Sequence, residues 1–178
     1  MTSNRKILAA FALQLALGTG LVIVCVRYYA VPRAPNILPA VVQSAIGRAN
    51  DVRLYSLDPF KKFSSEQERI SNGFHGFFVL GVARPGIVER FLLNAAASWG
   101  LAAKNPLGHL CFNPRHAIRY AVDGKNYDLL ICFECGEIEA YEGDQRVAAL
   151  LTGPYPQLIF NSLLSLHSLP IVGNTLDH

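Results

Sequence analysis

Charge is scarce in this chain. Only 16% of its 178 residues are Asp, Glu, Lys or Arg, against about 25% in an ordinary soluble domain. Residues 1–26 hold no acidic side chain, and beyond them 14 basic side chains face 13 acidic ones. No dense basic face can be built from that balance, so a nucleic-acid partner is not expected. A glycine-rich phosphate loop, a nucleophile elbow and a His-Glu-x-x-His helix are also missing, which turns the expectation away from an enzyme. There is no internal repeat and no low-complexity tract. What is present is apolar: 51% of the residues are hydrophobic, enough for the core of one domain of ordinary size.

The longest apolar stretch is Ile7 to Val26, an uncharged run of 20 residues with Gln14 and Thr19 its only strongly polar members. At 1.5 Å per residue such a helix crosses a hydrocarbon core of about 30 Å. A secretory leader is the competing reading, because Arg5 and Lys6 precede the run. The apolar part of a leader is usually about 7–15 residues, however, and here Arg27-Tyr28-Tyr29 follows with no small-x-small cleavage pattern. The expected partner of residues 7–26 is therefore the membrane, crossed once and not cleaved. Tyr28 and Tyr29 suit an interfacial belt. The basic residues on either side lean slightly toward a cytoplasmic N-terminus, which places the folded domain outside the cytoplasm. The chain divides into a tail (1–6), an anchor (7–26), a stiff Pro-containing linker (27–35), one domain (36–172) and a flexible tail (173–178).

Within the domain, Asn36 is positioned to cap a helix running to Ala49, with Ile37, Leu38, Val41, Val42, Ala45 and Ile46 as its apolar stripe. Val52–Leu57 alternates as a strand and Asp58-Pro59 stops it. Residues 61–72 are polar and read as a loop with at most one helical turn. Phe77–Val82 is continuously apolar and reads as a central strand. Pro85-Gly86 opens a helix whose apolar positions are Ile87, Val88, Phe91, Leu92, Ala95 and Trp99, with Gly100 ending it. From Arg115 onward come four strands, 115–122, 127–133, 137–142 and 146–152, with Asp123-Gly124 and Gly143-Asp144 as turns. A last helix, 156–168, is expected to present Leu158, Ile159, Leu163 and Leu166 to the sheet. The fold class is α+β: an antiparallel meander packed with two to three helices, preceded by the membrane helix.

Concentrated chemistry occurs in one place. Cys111, Cys132 and Cys135 fall within 25 residues, and the hairpin between them brings Cys111-Phe-Asn-Pro-Arg-His116 near Cys132-Phe-Glu-Cys135. A two- or four-residue turn puts Ile118, Tyr120, Val122, Tyr127, Leu129, Ile131 and Phe133 on one face. The other face then pairs Arg115 with Glu134 and Arg119 with Asp128. In that register His116 and Cys132 project oppositely, unless pairing breaks near Pro114. Four fates of the sulfurs stay open. Cys111, His116, Cys132 and Cys135 would make a Cys₃His zinc set, although Cys-x₄-His is a loose half-site. A disulfide is the simplest alternative in an oxidising compartment, by Cys132 with Cys135 or Cys111 with either. A redox dithiol normally starts at a helix N-terminus, whereas this motif ends a strand. Inert buried thiols account for what is left.

His75, Arg115 and Glu134 are the remaining candidate functional residues. His75 sits between aromatic side chains and reads as a hydrogen-bonded structural residue. No nucleophile is paired with a base. Phe74-His75-Gly76 with Val79-Leu80-Gly81, Cys111-Phe-Asn-Pro-Arg-His116 and Ile131-Cys132-Phe133-Glu134-Cys135 resemble, in that order, three motifs of a family of uncharacterised bacterial proteins. The likeness covers Val52 to Pro170. It implies a bacterial origin and a single module, and carries no activity. The expectation is a membrane-anchored protein with a structural or binding role and a protein partner still to be identified. A zinc protein and an envelope thiol–disulfide oxidoreductase are the alternatives.

Overall fold

The structure is a computed structural model, and it describes residues 38–98, 102–103 and 112–173. All of these belong to one compact unit, 34–178. Residues 7–26, Cys111, Trp99 and the tail from 174 on lie outside the described residues, as do the readings that fall on them. The elements are α1 (Ala40–Arg48), β1 (Asp51–Asp58), α2 (Glu66–Asn72), β2 (Gly73–Phe74), β3 (Phe77–Ala83), α3 (Ile87–Ala97), β4 (Ala102–Ala103), β5 (His116–Val122), β6 (Lys125–Cys132), β7 (Glu137–Glu142), β8 (Gln145–Leu151) and α4 (Pro156–Leu166). The class is α+β, with four helices among the described residues instead of the two or three expected. Every strand pairing is antiparallel, in the order β2-β3-β1-β5-β6-β7-β8-β4.

The main core lies between one face of the sheet and α1, α3 and α4. Leu54, Ile118, Tyr120, Leu129, Ile131 and Ile138 come from the strands, Val42, Leu93, Phe160 and Leu164 from the helices. These strand positions are two apart, as a pleated strand requires of residues that share a face. The opposite face carries a smaller cluster of Tyr55, Leu57, Phe74, Ala117 and Leu130.

Four sequence expectations need correction. Residues 66–72 form a two-turn helix, not a loop. Its start is signalled by Ser65, whose hydroxyl accepts from the Glu68 N–H at 3.1 Å, while the Glu68 carboxylate accepts from the Ser64 N–H at 2.6 Å, close to a capping box. β3 is not central: it is next to the edge, flanked by the two-residue β2, and its Val82 is 44% exposed. On α3 the expected stripe points outward. Leu93, Ala96 and Ala97 are the buried residues, whereas Ile87, Val88, Phe91 and Leu92 are exposed. On α4 the buried set is Pro156, Phe160, Leu163 and Leu164, with Leu158 and Leu166 exposed. Both helices are apolar on two sides, so periodicity alone could not choose between the faces.

Candidate functional site

The β5–β6 hairpin fixes the site. Asp123 and Gly124 both have positive φ, 49° and 77°, as a two-residue I′ turn demands. The register that follows pairs Val122 with Lys125, Arg119 with Asp128 and His116 with Ile131. The Arg119 guanidinium donates to both Asp128 carboxylate oxygens, at 2.8 and 2.7 Å, and Arg115 forms an ion pair with Glu134.

Asp128 is the centre of a larger network on the second sheet face. Its side chain is completely buried, and the ring Nε2 of His75 lies 2.7 Å from its Oδ2. The imidazole gets there because β2 and β3 are joined by another tight turn, His75-Gly76, with φ of 49° and 87°. A left-handed histidine is uncommon. Here its ring lies tilted against Tyr141, with centroids 4.1 Å apart, and its neighbour Phe74 lies 4.2 Å from Tyr55 and under the Arg119 guanidinium at 4.7 Å. The hydrogen bond to Asp128 raises the Arg119 pKa, partly offset by burial. Next along the face, the Tyr141 hydroxyl donates to Glu139 at 2.6 Å, and Glu139 also pairs with Arg146. Burial, and after it the Glu139 bond, raises the Tyr141 pKa. Asp128 thus accepts three charge-assisted hydrogen bonds: two from Arg119 on β5, and one from His75 that clamps the β2–β3 hairpin onto β6.

His116 sits on the other face. Its Nε2 is 2.7 Å from Asn161 Oδ1, and its ring meets Phe133 and Phe160 edge-on at 5.3 and 5.7 Å. Burial lowers its pKa from 6.5 to about 4, against the opposing Asn161 bond, so the ring is neutral near pH 7. Cys132 follows Ile131, the cross-strand partner of His116, and therefore projects away from that imidazole. Among the described residues His116 and Cys132 thus face opposite sides of the sheet, and no cluster of three or more His, Cys, Asp or Glu suited to a metal is found.

Cys132 and Cys135 are joined as a disulfide. Cys132 closes β6 and is 2% exposed, while Cys135 lies half-buried in the β6–β7 turn. The Cys135 N–H donates to Cys132 Sγ at 3.1 Å. Gly136, at φ 64°, donates to the Phe133 carbonyl at 3.2 Å and accepts from the Thr152 N–H at 2.9 Å. Glu137, 1% exposed, stands opposite Cys132 across the β6–β7 ladder. Sequence reasoning missed the reach of His75 and the role of Asn161. Positive-φ tolerance at a Phe-His-Gly-Phe turn was the available signal for the first; nothing local marks the second.

Fold and site together define an α+β domain with a disulfide-bridged turn on one sheet face and a neutral, aromatic-packed histidine on the other. No protein-family model matches the chain, no curated protein is similar to it, and no solved structure matches it.

Proposed function

We propose that the chain is a single-pass protein of a bacterial cell membrane, anchored through residues 7–26, whose extracytoplasmic domain is a noncatalytic binding module. Its docking surface is the outer face of α3, and the occupant is the anionic surface of the same bilayer. The observation that carries this reading is the exposure of four large apolar side chains in the first six residues of α3: Ile87 at 87%, Val88 at 72%, Phe91 at 64% and Leu92 at 40%. Burying each is worth about 1.5–3 kcal/mol, a large driving force left unused by the domain itself. Arg84, exposed just before the helix, adds a positive charge at one end of the patch. An apolar face with an aromatic residue and a basic neighbour is the chemistry of an interfacial helix.

Two further facts support a lipid occupant. The 11 residues from Arg27 to Ile37 reach at most roughly 40 Å, which keeps the domain close to the surface that the anchor enters. The disulfide also suits an oxidising compartment. Among the described residues no helix is long and apolar enough to cross a membrane.

The test uses the full chain with Trp99→Phe, reconstituted into anionic vesicles with brominated acyl chains. Tryptophan introduced by Phe91→Trp is expected to be quenched, as is tryptophan introduced by Leu17→Trp in the anchor. Quenching at position 17 without quenching at 91 would overturn the docking and leave the anchor. No quenching at either position overturns both.

A further inference from the structure

We infer that the Cys132–Cys135 disulfide is an exchange site for an incoming dithiol, with Cys135 the sulfur attacked and Cys132 the sulfur released. The inference rests on the β6–β7 turn and not on the membrane docking of α3.

The two sulfurs are inequivalent. Cys132 is 2% exposed, whereas Cys135 is partly open to solvent, so an approaching thiolate meets Cys135 first. Cleavage then leaves negative charge on Cys132 Sγ, the atom that already accepts from the Cys135 N–H at 3.1 Å. A hydrogen bond to an ionised acceptor is roughly twice as strong as one to a neutral acceptor, so this contact offsets part of the cost of placing charge on a buried sulfur. Dithiols that exchange readily usually take such stabilisation from the amides of a helix N-terminus; in this chain the turn supplies the amide. The turn need not move when the S–S bond opens, because Gly136 is bonded to Phe133 and Thr152 and Arg115 holds Glu134, the residue before Cys135, by an ion pair.

The chemistry balances as two substitutions. A thiolate of the dithiol attacks Cys135 Sγ; a new S–S bond forms, the Cys132–Cys135 bond breaks, and Cys132 departs as thiolate and takes up a proton. The second thiolate of the dithiol then attacks its own sulfur in the mixed disulfide and releases Cys135 as thiolate, which is protonated in turn. Two electrons pass from the dithiol to this chain, the dithiol becomes a disulfide, and the two protons it loses match the two gained here.

The experiment uses the full chain with Cys25→Ser and Cys111→Ser. In the first arm the oxidised protein meets dithiothreitol while circular dichroism is recorded: the bond is expected to be reduced with the fold intact. Reduction that keeps pace with unfolding overturns the inference. In the second arm Cys132→Ser and Cys135→Ser are compared for reaction with an aromatic disulfide reporter, and Cys135, left by the first change, is expected to react about tenfold faster or more. Equal rates, or a faster Cys132, overturn the assigned order of the sulfurs. If either single-cysteine variant fails to fold, the first arm still decides whether exchange occurs.

Discussion

Acidification should remove a defined amount of stability through one residue, His116. Burial holds its folded-state pKa at about 4, against 6.5 for the free side chain. Between those values the unfolded chain binds a proton that the folded chain refuses, so stability rises with pH across the window and is lost as pH falls from about 6.5 to about 4. At 1.36 kcal/mol per pKa unit the loss amounts to about 3 kcal/mol, a sizeable part of the roughly 5–15 kcal/mol that holds a domain folded. Urea unfolding by circular dichroism over this range, for the parent and for His116→Gln, isolates the contribution. The variant is expected to be less stable at neutral pH but to lack about 3 kcal/mol of the pH dependence. Glu89, whose pKa is lowered first by its hydrogen bond from Gly86 and then by His167, is unchanged in the variant, so its contribution cancels in the comparison. Parallel curves for the two proteins would refute the assignment of a neutral, desolvated imidazole between Phe133 and Phe160.

Asp128→Asn leaves Arg119 and His75 facing an uncharged group in a fully buried position, and should cost about 3–5 kcal/mol in urea titrations; a loss under about 1 kcal/mol would mean that the network behaves as a surface ion pair. Gly73→Ala would put a Cβ 2.2 Å from the Arg69 carbonyl oxygen, a backbone atom that cannot yield without moving α2. The expected penalty is about 1–3 kcal/mol, and an unchanged melting temperature would contradict this close approach. Reducing the Cys132–Cys135 bond frees a loop of sequence separation 3, for which chain entropy gives about 2 kcal/mol. A much larger loss in the denaturation midpoint would make the bond the principal staple of the meander.

The parts of the fold legible in the sequence were those governed by short-range rules. Asp123-Gly124 specifies a two-residue turn, and parity then places Arg119 opposite Asp128 and separates His116 from Cys132. The meander strands follow from the same alternation. Less legible were elements with competing signals. α3 offers two apolar faces, and the bulkier one, Ile87 with Phe91, dominated the periodicity although the smaller Ala96 and Ala97 fit against the core. β3 is as apolar as a central strand because both of its faces meet hydrophobic neighbours, Phe78 stacking on Phe63 and Val79 joining the second cluster.

Long-range polar contacts lie beyond such rules altogether. His75 and Asp128 are 53 residues apart, His116 and Asn161 45, and neither pair shares an element. Yet the sheet's parity explains why they do not merge into one site. Residues at even positions of β5, such as His116 and Ile118, face the helices; on β6 the odd positions Leu129 and Ile131 do so, which sends Asp128 and Cys132 to the opposite side. The imidazole is thereby confined to an aromatic pocket where burial favours its neutral form, while the sulfurs end on the face where strand β6 runs out into a turn that solvent reaches. Any reading that unites His116 with Cys132 requires a one-residue slip of the hairpin, and such a slip would drive Asp128 into the apolar layer and Leu129 out of it. The bidentate Arg119–Asp128 pair is the lock against that slip, so Asp128→Asn tests the separation of the two faces as well as the stability of the clamp.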